Sequence, residues 1–148
     1  VIAVDTNILI YAHREDSPWH TAAYKCIEHL SEEAFQWTIP WPCVHEFYSI
    51  VTHPKIFSPP STQNQALDQL QSWFNSPSLF TISEASNYWG ILEVLLIKSK
   101  VVGPKIHDAK IAAICLQHEV EKLWSSDRDF SLFTNLKVEN PLPLFSSQ

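Results

Sequence analysis

Strands alternating with helices predict an α/β fold, a mainly parallel sheet covered by helices on both faces. Three observations carry that prediction. Short apolar runs bounded by breakers recur at residues 1–4, 36–39, 79–82, 122–124 and 136–138. The stretches between them place apolar residues at helical spacing. Finally, two of the runs lead to aspartates, Asp5 and Asp127. In an open parallel sheet, ligands bind just outside that carboxyl edge.

The elements follow in order. Residues 1–4 (VIAV) form the first strand, and Asp5 or Thr6 can cap a helix running over residues 6–12. The polar break REDSP ends in Ser17-Pro18, which suits a helix start. Ala22, Ala23, Cys26, Ile27 and Leu30 then fall on one helical stripe, closed by Glu32-Glu33. A strand over 36–39 stops at Pro40. Pro42 opens a helix with Val44, Phe47, Tyr48 and Val51 on its apolar side. His53-Pro54 ends it, and residues 53–62 (HPKIFSPPST) form a proline-rich loop. Ala66, Leu67, Leu70, Trp73 and Phe74 mark an amphipathic helix. After the strand at 79–82, Ser83-Glu84 opens a helix with Tyr88, Trp89, Leu92, Leu95 and Leu96 inward. Gly103-Pro104 stops and restarts the chain. Residues 106–118 are then apolar on most faces, so that helix lies deep. A strand at 122–124, a loop at 125–130 and a last strand at 136–138 complete the pattern. One domain over 1–142 is expected, with 143–148 as a tail and no internal repeat.

Bulk properties narrow the function classes. A chain of 148 residues buries roughly 68–70% of its unfolded surface, enough for a core without staples. The net charge of −6 and a pI near 5.6 argue against a general charge-driven nucleic-acid binder. They leave room for a nuclease that neutralises its acids with metal. Three widely spaced cysteines, Cys26, Cys43 and Cys115, read as buried hydrophobes in a reducing compartment. No secretory signal or membrane-length apolar run is visible, so a cytoplasmic location is expected. The chain contains no methionine, which leaves its true start open.

Six aspartates are present, and four acids stand out. Asp5 and Asp127 follow strands whose ends share one sheet edge. Asp108 opens the deep helix, and Glu46 lies inside an apolar helical stretch. Taken singly, each aspartate is better explained as a helix cap or turn residue; Glu46 resists that account. Taken together, clustered carboxylates repel and persist when a cation neutralises them. Hard oxygen ligands select Mg²⁺ or Mn²⁺. Such ions activate water and stabilise the leaving oxygen of a phosphodiester.

Val4-Asp5-Thr6-Asn7, Glu46 before Phe47, His107-Asp108-Ala109 and Ser125-Ser126-Asp127-Arg128-Asp129-Phe130 together resemble the PIN-domain family. Within it, the likeness is to VapC-type toxins of prokaryotic toxin–antitoxin systems, and it spans residues 1–142. The resemblance implies a three-layer α/β/α sandwich with a central parallel sheet. It also implies a Mg²⁺- or Mn²⁺-dependent endoribonuclease acting on RNA, a homodimer and a cognate VapB-type antitoxin. Asp5, Glu46, Asp108 and Asp127 match the family's acidic quartet, expected to be both catalytic and metal-holding. Thr6 and Ser125 match supporting hydroxyl positions, and Asp129 sits in the adjoining DxDF stretch. An RNA-processing nuclease without antitoxin, or a module that binds RNA or protein without cutting, are the alternatives.

Arg14, Lys105, Lys110 and Arg128 lie near these motifs and are candidate RNA-phosphate contacts. His45 and His107 read as local hydrogen-bonding or surface residues. Trp19 and Trp41 could stack on bases, whereas Trp73, Trp89 and Trp124 read as core. No zinc spacing, GxSxG or glycine-rich phosphate loop is present.

Overall fold

The computed structural model describes residues 1–32 and 35–146. Five strands form one sheet: β1 (Ile2–Val4), β2 (Trp37–Pro40), β3 (Leu79–Ile82), β4 (Lys122–Trp124) and β5 (Val138–Glu139). Their order is β3-β2-β1-β4-β5, and every pairing is parallel. Parallel neighbours require crossovers, and helices supply them. These are α1 (Thr6–His13), α2 (His20–Glu32), α3 (Trp41–Val51), α4 (Gln63–Phe74), α5 (Tyr88–Ser99), α6 (Ile106–Gln117) and α7 (Leu142–Ser146). Glu33, expected to help close α2, lies outside the described residues.

The chain leaves β1 toward β2 on one side and returns to β4 on the other. The sheet therefore has its switch point between β1 and β4, where a crevice opens at the strands' carboxyl ends. Ala3 pairs with Leu123 and Val4 with Trp124, and the Asp5 amide donates to the Trp124 carbonyl at 2.9 Å. That register puts Asp5 and Ser125 side by side.

The core explains the apolar runs. Val4, Trp37, Ile39 and Leu123 are fully buried in the sheet, with Ile8 and Leu9 of α1 and Phe47 of α3. On α6, Ala109 and residues 111–115 are all buried, so this helix does lie deep. All three cysteines are free and buried. Among the described residues, no helix is long and apolar enough to cross a membrane.

Three local readings need correction. First, α5 begins at Tyr88 rather than near Ser83-Glu84. The preceding segment is held to the end of α6, where the Gln117 side chain bonds Ala85 and Ser86 backbone groups, and Asn87 turns left-handed at φ 68°. Second, Trp89 is 62% exposed, not core. At 3.6 residues per turn, Leu92 and Leu95 share a stripe with Tyr88, and Trp89 stands off its flank. Trp73 and Trp124 are buried as expected, while Trp19 and Trp41 are exposed. Third, Leu142–Ser146 is a short helix, although residues from 143 read as tail. Asn140 accepts from the Leu142 amide, and Phe145 packs edge-on to Trp124.

Candidate active site

Asp5 ends β1 and caps α1. Its backbone is extended, and its Oδ1 accepts from the Thr6 amide at 2.8 Å. The same oxygen receives the Cys43 thiol at 3.6 Å. Oδ2 accepts from the Ser125 hydroxyl at 2.7 Å and the Asn7 amide at 3.1 Å. Capping and site membership are thus not alternatives here, because one carboxylate does both. Burial nevertheless pushes the Asp5 carboxyl up to about 6, against the lowering effect of these donors and with repulsion from Glu46 added.

Ser125 relays this arrangement upward. Its Oγ donates to Asp5 and accepts from the Asp127 amide at 3.0 Å. Asn7 ties the two strand ends together: its Nδ2 also reaches Ser125 Oγ at 3.1 Å, and its Oδ1 accepts from the Ser126 amide at 3.1 Å. The sequence reading gave Asn7 no role. The available signal was chemical, since a carboxamide both donates and accepts and so can bridge two loops.

Above Asp5, carboxylate oxygens of Asp108, Asp127 and Asp129 lie within 4.8 Å of one another. Asp108 projects from the first turn of α6. Asp127 caps the 3-10 turn Arg128–Leu132 by accepting from the Asp129 amide at 2.9 Å, which brings Asp129 alongside. Asp129 therefore stands inside the close trio, whereas Asp5 lies beneath it, one hydrogen-bonded link away through Ser125. Glu46, on α3, flanks the group. Partial desolvation raises its pKa, and Asp108 and Asp127 push it the same way. Asp108 is likewise raised by desolvation, then by Asp127, with Lys105 and His107 opposing.

The Thr6 hydroxyl is buried near the Glu46 carboxylate and the Cys43 thiol, without a well-aligned hydrogen bond to either. An orphaned buried hydroxyl and four or five converging carboxylates are unfavourable by themselves. They fit a hydrated hard cation, which would offset the charge and whose waters could reach the hydroxyl. Lys105 supplies part of that charge here, contacting Asp129 and lying 3.8 Å from Asp108.

The other basic candidates divide. Arg128 is exposed and has no side-chain partner among the described residues. Lys110 is half-buried on α6. Arg14 is occupied elsewhere: it bonds Asp16 and the Pro59 carbonyl and lies 4.2 Å over the Phe57 ring. It fastens the 53–62 loop rather than facing the acids.

Comparison with known proteins identifies the family. The family model described as PIN domain matches residues 2–135. Among curated relatives, the ribonuclease VapC48 of Mycobacterium tuberculosis is 25% identical over 137 residues, covering 93% of this chain and 94% of its own. The ribonuclease VapC43 of the same organism is 27% identical over 142 residues, 96% of each chain. Among solved structures, VapBC2 from Rickettsia felis, bound to a DNA fragment from its promoter, superposes with a TM-score of 0.66. It is 20% identical over 93% of this chain and 96% of the matched one. With the sheet order, the acid-lined switch point and a family match over nearly its whole length, the chain belongs to the PIN-domain family.

Proposed function

We propose that this chain is a Mg²⁺- or Mn²⁺-dependent endoribonuclease, the toxin of a VapBC-type pair. The observation that carries the reading is the convergence of Asp5, Glu46, Asp108, Asp127 and Asp129 on one crevice in a PIN-domain chain. The relatives named as VapC ribonucleases support the substrate, and the VapBC2 likeness supports a VapB-type antitoxin as partner.

Asp108, Asp127 and Asp129 would hold the ion, with Asp5 steadying them through Ser125 or contributing an oxygen directly. When bound, such an ion makes hydroxide accessible near neutral pH and offsets phosphate charge. Glu46 is suited to orient the attacking water and take its proton, because its raised pKa lies closer to working pH than an ordinary carboxylate's. Thr6 offers its unpartnered hydroxyl to the same pocket. Lys105 and Arg128, with Lys110 more distant, supply local positive charge for RNA phosphates on an acidic chain. A homodimer belongs to the same reading, and the exposed Trp89, Val94 and Ile97 of α5 offer an apolar face for it.

Incubation of purified protein with structured RNA tests this. Cleavage is expected with Mg²⁺ or Mn²⁺ and none with EDTA, and EDTA-resistant cleavage would contradict the reading. Growth arrest on expression, relieved by a small co-expressed partner, separates a toxin from a processing enzyme.

A further inference from the structure

Among the described residues, Lys105 is the one lysine or arginine paired with the acid trio. Its ammonium contacts Asp129 and lies 3.8 Å from Asp108 Oδ2. Both carboxylates belong to the group whose oxygens gather within 4.8 Å. The lysine thus bridges two elements, the start of α6 and the 3-10 turn at Arg128–Leu132.

Local helix physics does not account for a lysine there. Lys105 stands at the N-cap of α6 and makes no side-chain cap bond. A cation at that end opposes the helix dipole. A lysine placed before its aspartate on a helix is also the weaker order of pairing. The ammonium is therefore held by the carboxylates across the site, not by its own helix.

We infer that Lys105 is a displaceable counter-ion, which competes with the divalent ion for the oxygens of Asp108 and Asp129 and raises the concentration at which the site loads. This rests on the metal-site reading of the acids and adds what that site releases on loading. An ammonium touching the ligand oxygens and a divalent ion held by them repel at close range. The Lys105 side chain is 44% exposed on a flexible stem, so it can turn outward while the deep helix α6 stays in place. Once released, the ammonium is free to meet an RNA phosphate beside the acids.

Mn²⁺ binding to purified protein without RNA, followed by calorimetry and by melting, tests this. Lys105→Met keeps the length of the stem and removes the charge. It is expected to bind Mn²⁺ about fivefold more tightly than wild type, the scale of one partly exposed ion pair. Lys105→Arg, which keeps a cation, should bind no more tightly than wild type. Arg128→Gln removes a neighbouring charge that pairs with none of these acids, and should change the affinity less than about twofold. Without metal, Lys105→Met should melt below wild type. At saturating Mn²⁺ that gap should close, because both proteins then carry the ion in place of the ammonium. A lysine that stays paired in the loaded protein would keep the gap open and leave the affinity of Lys105→Met unchanged or weaker. That result overturns the counter-ion while leaving the nuclease reading in place. If Lys105→Met binds Mn²⁺ more tightly but wild type cuts no RNA, the counter-ion stands and the nuclease reading falls. If neither protein binds Mn²⁺, both fall.

Discussion

The two ends of α1 present two polar clusters of opposite character. The helix spans about 12 Å. At its C-terminal end, His13 bonds Gln69 at 3.1 Å and the buried Ser61 hydroxyl at 2.8 Å, and Arg14 pairs with Asp16. His13, Arg14, Asp16 and Ser61 all have partners there, although the adjoining cavity, about 700 Å³, is as large as a second one beside Asp127. At the N-terminal end carboxylates crowd one another: Glu46 and Asp108 are raised by desolvation and then by neighbouring carboxylates, and a buried hydroxyl lacks a well-aligned partner. Cavity size does not separate these regions; electrostatic balance does. The partnered end is a clasp that holds the 53–62 loop, and the crowded end is the one proposed above to take a cation and substrate.

The contrast breaks most visibly in activity. Asp108→Asn or Asp127→Asn should lower RNA cleavage by about a thousandfold or more, since several kcal/mol of transition-state stabilisation go with the ion. Ser61→Ala, at the clasp, should leave kcat unchanged. A clasp variant as inactive as an acid variant would erase the distinction.

Next in size is the pH dependence of folding without metal. Asp5 ionises near 6 in the folded protein against an ordinary 3.8. Between those values the folded state keeps a proton that the unfolded chain has released. Stability from this group therefore falls as pH rises through the window, by about 3 kcal/mol in all. His13 runs the other way. Burial lowers its pKa below 6.5, so its contribution is intact above 6.5 and declines as pH drops toward the lowered value. Denaturant titrations of Asp5→Asn and His13→Gln against wild type should show slope changes of opposite sign.

Smaller effects sharpen the same contrast. Ser61→Ala leaves a His13 nitrogen without its partner, which costs about 1–2 kcal/mol and lowers Tm by about 2–8 °C. Mg²⁺ at about three times its Kd should stabilise wild type by about 0.8 kcal/mol in a melting assay. Asp108→Asn should lose that shift and Ser61→Ala should keep it.

Much of this was legible because it is local. The apolar runs ending at Asp5 and just before Ser125 defined β1 and β4, and parallel pairing made their ends adjacent without knowledge of register. The residue types of Asp5, Glu46, Asp108 and Asp127 suggested a shared cation before any geometry. What stayed hidden depends on distant partners. The start of α5 is set by Gln117, roughly thirty residues on in the chain, and α7 forms because Phe145 finds Trp124. The start of α4 is an exception: Thr62 and Gln65 make a capping box three residues apart, a pattern open to inspection in the sequence. At the site, spacing could not show that Asp129 joins Asp108 and Asp127, that Asp5 lies beneath them, or that Arg14 is spent on the 53–62 loop.

As proposed above, the acids around Asp5 form a cutting site, at a cost in folding stability. Asp5→Asn tests it most directly, with Mn²⁺-dependent RNA cleavage measured on protein whose melting has been recorded. No cleavage above background is expected, with a metal-free Tm no lower than wild type's, because a costly buried carboxylate has been removed. Full Mn²⁺-dependent cleavage by Asp5→Asn would contradict it.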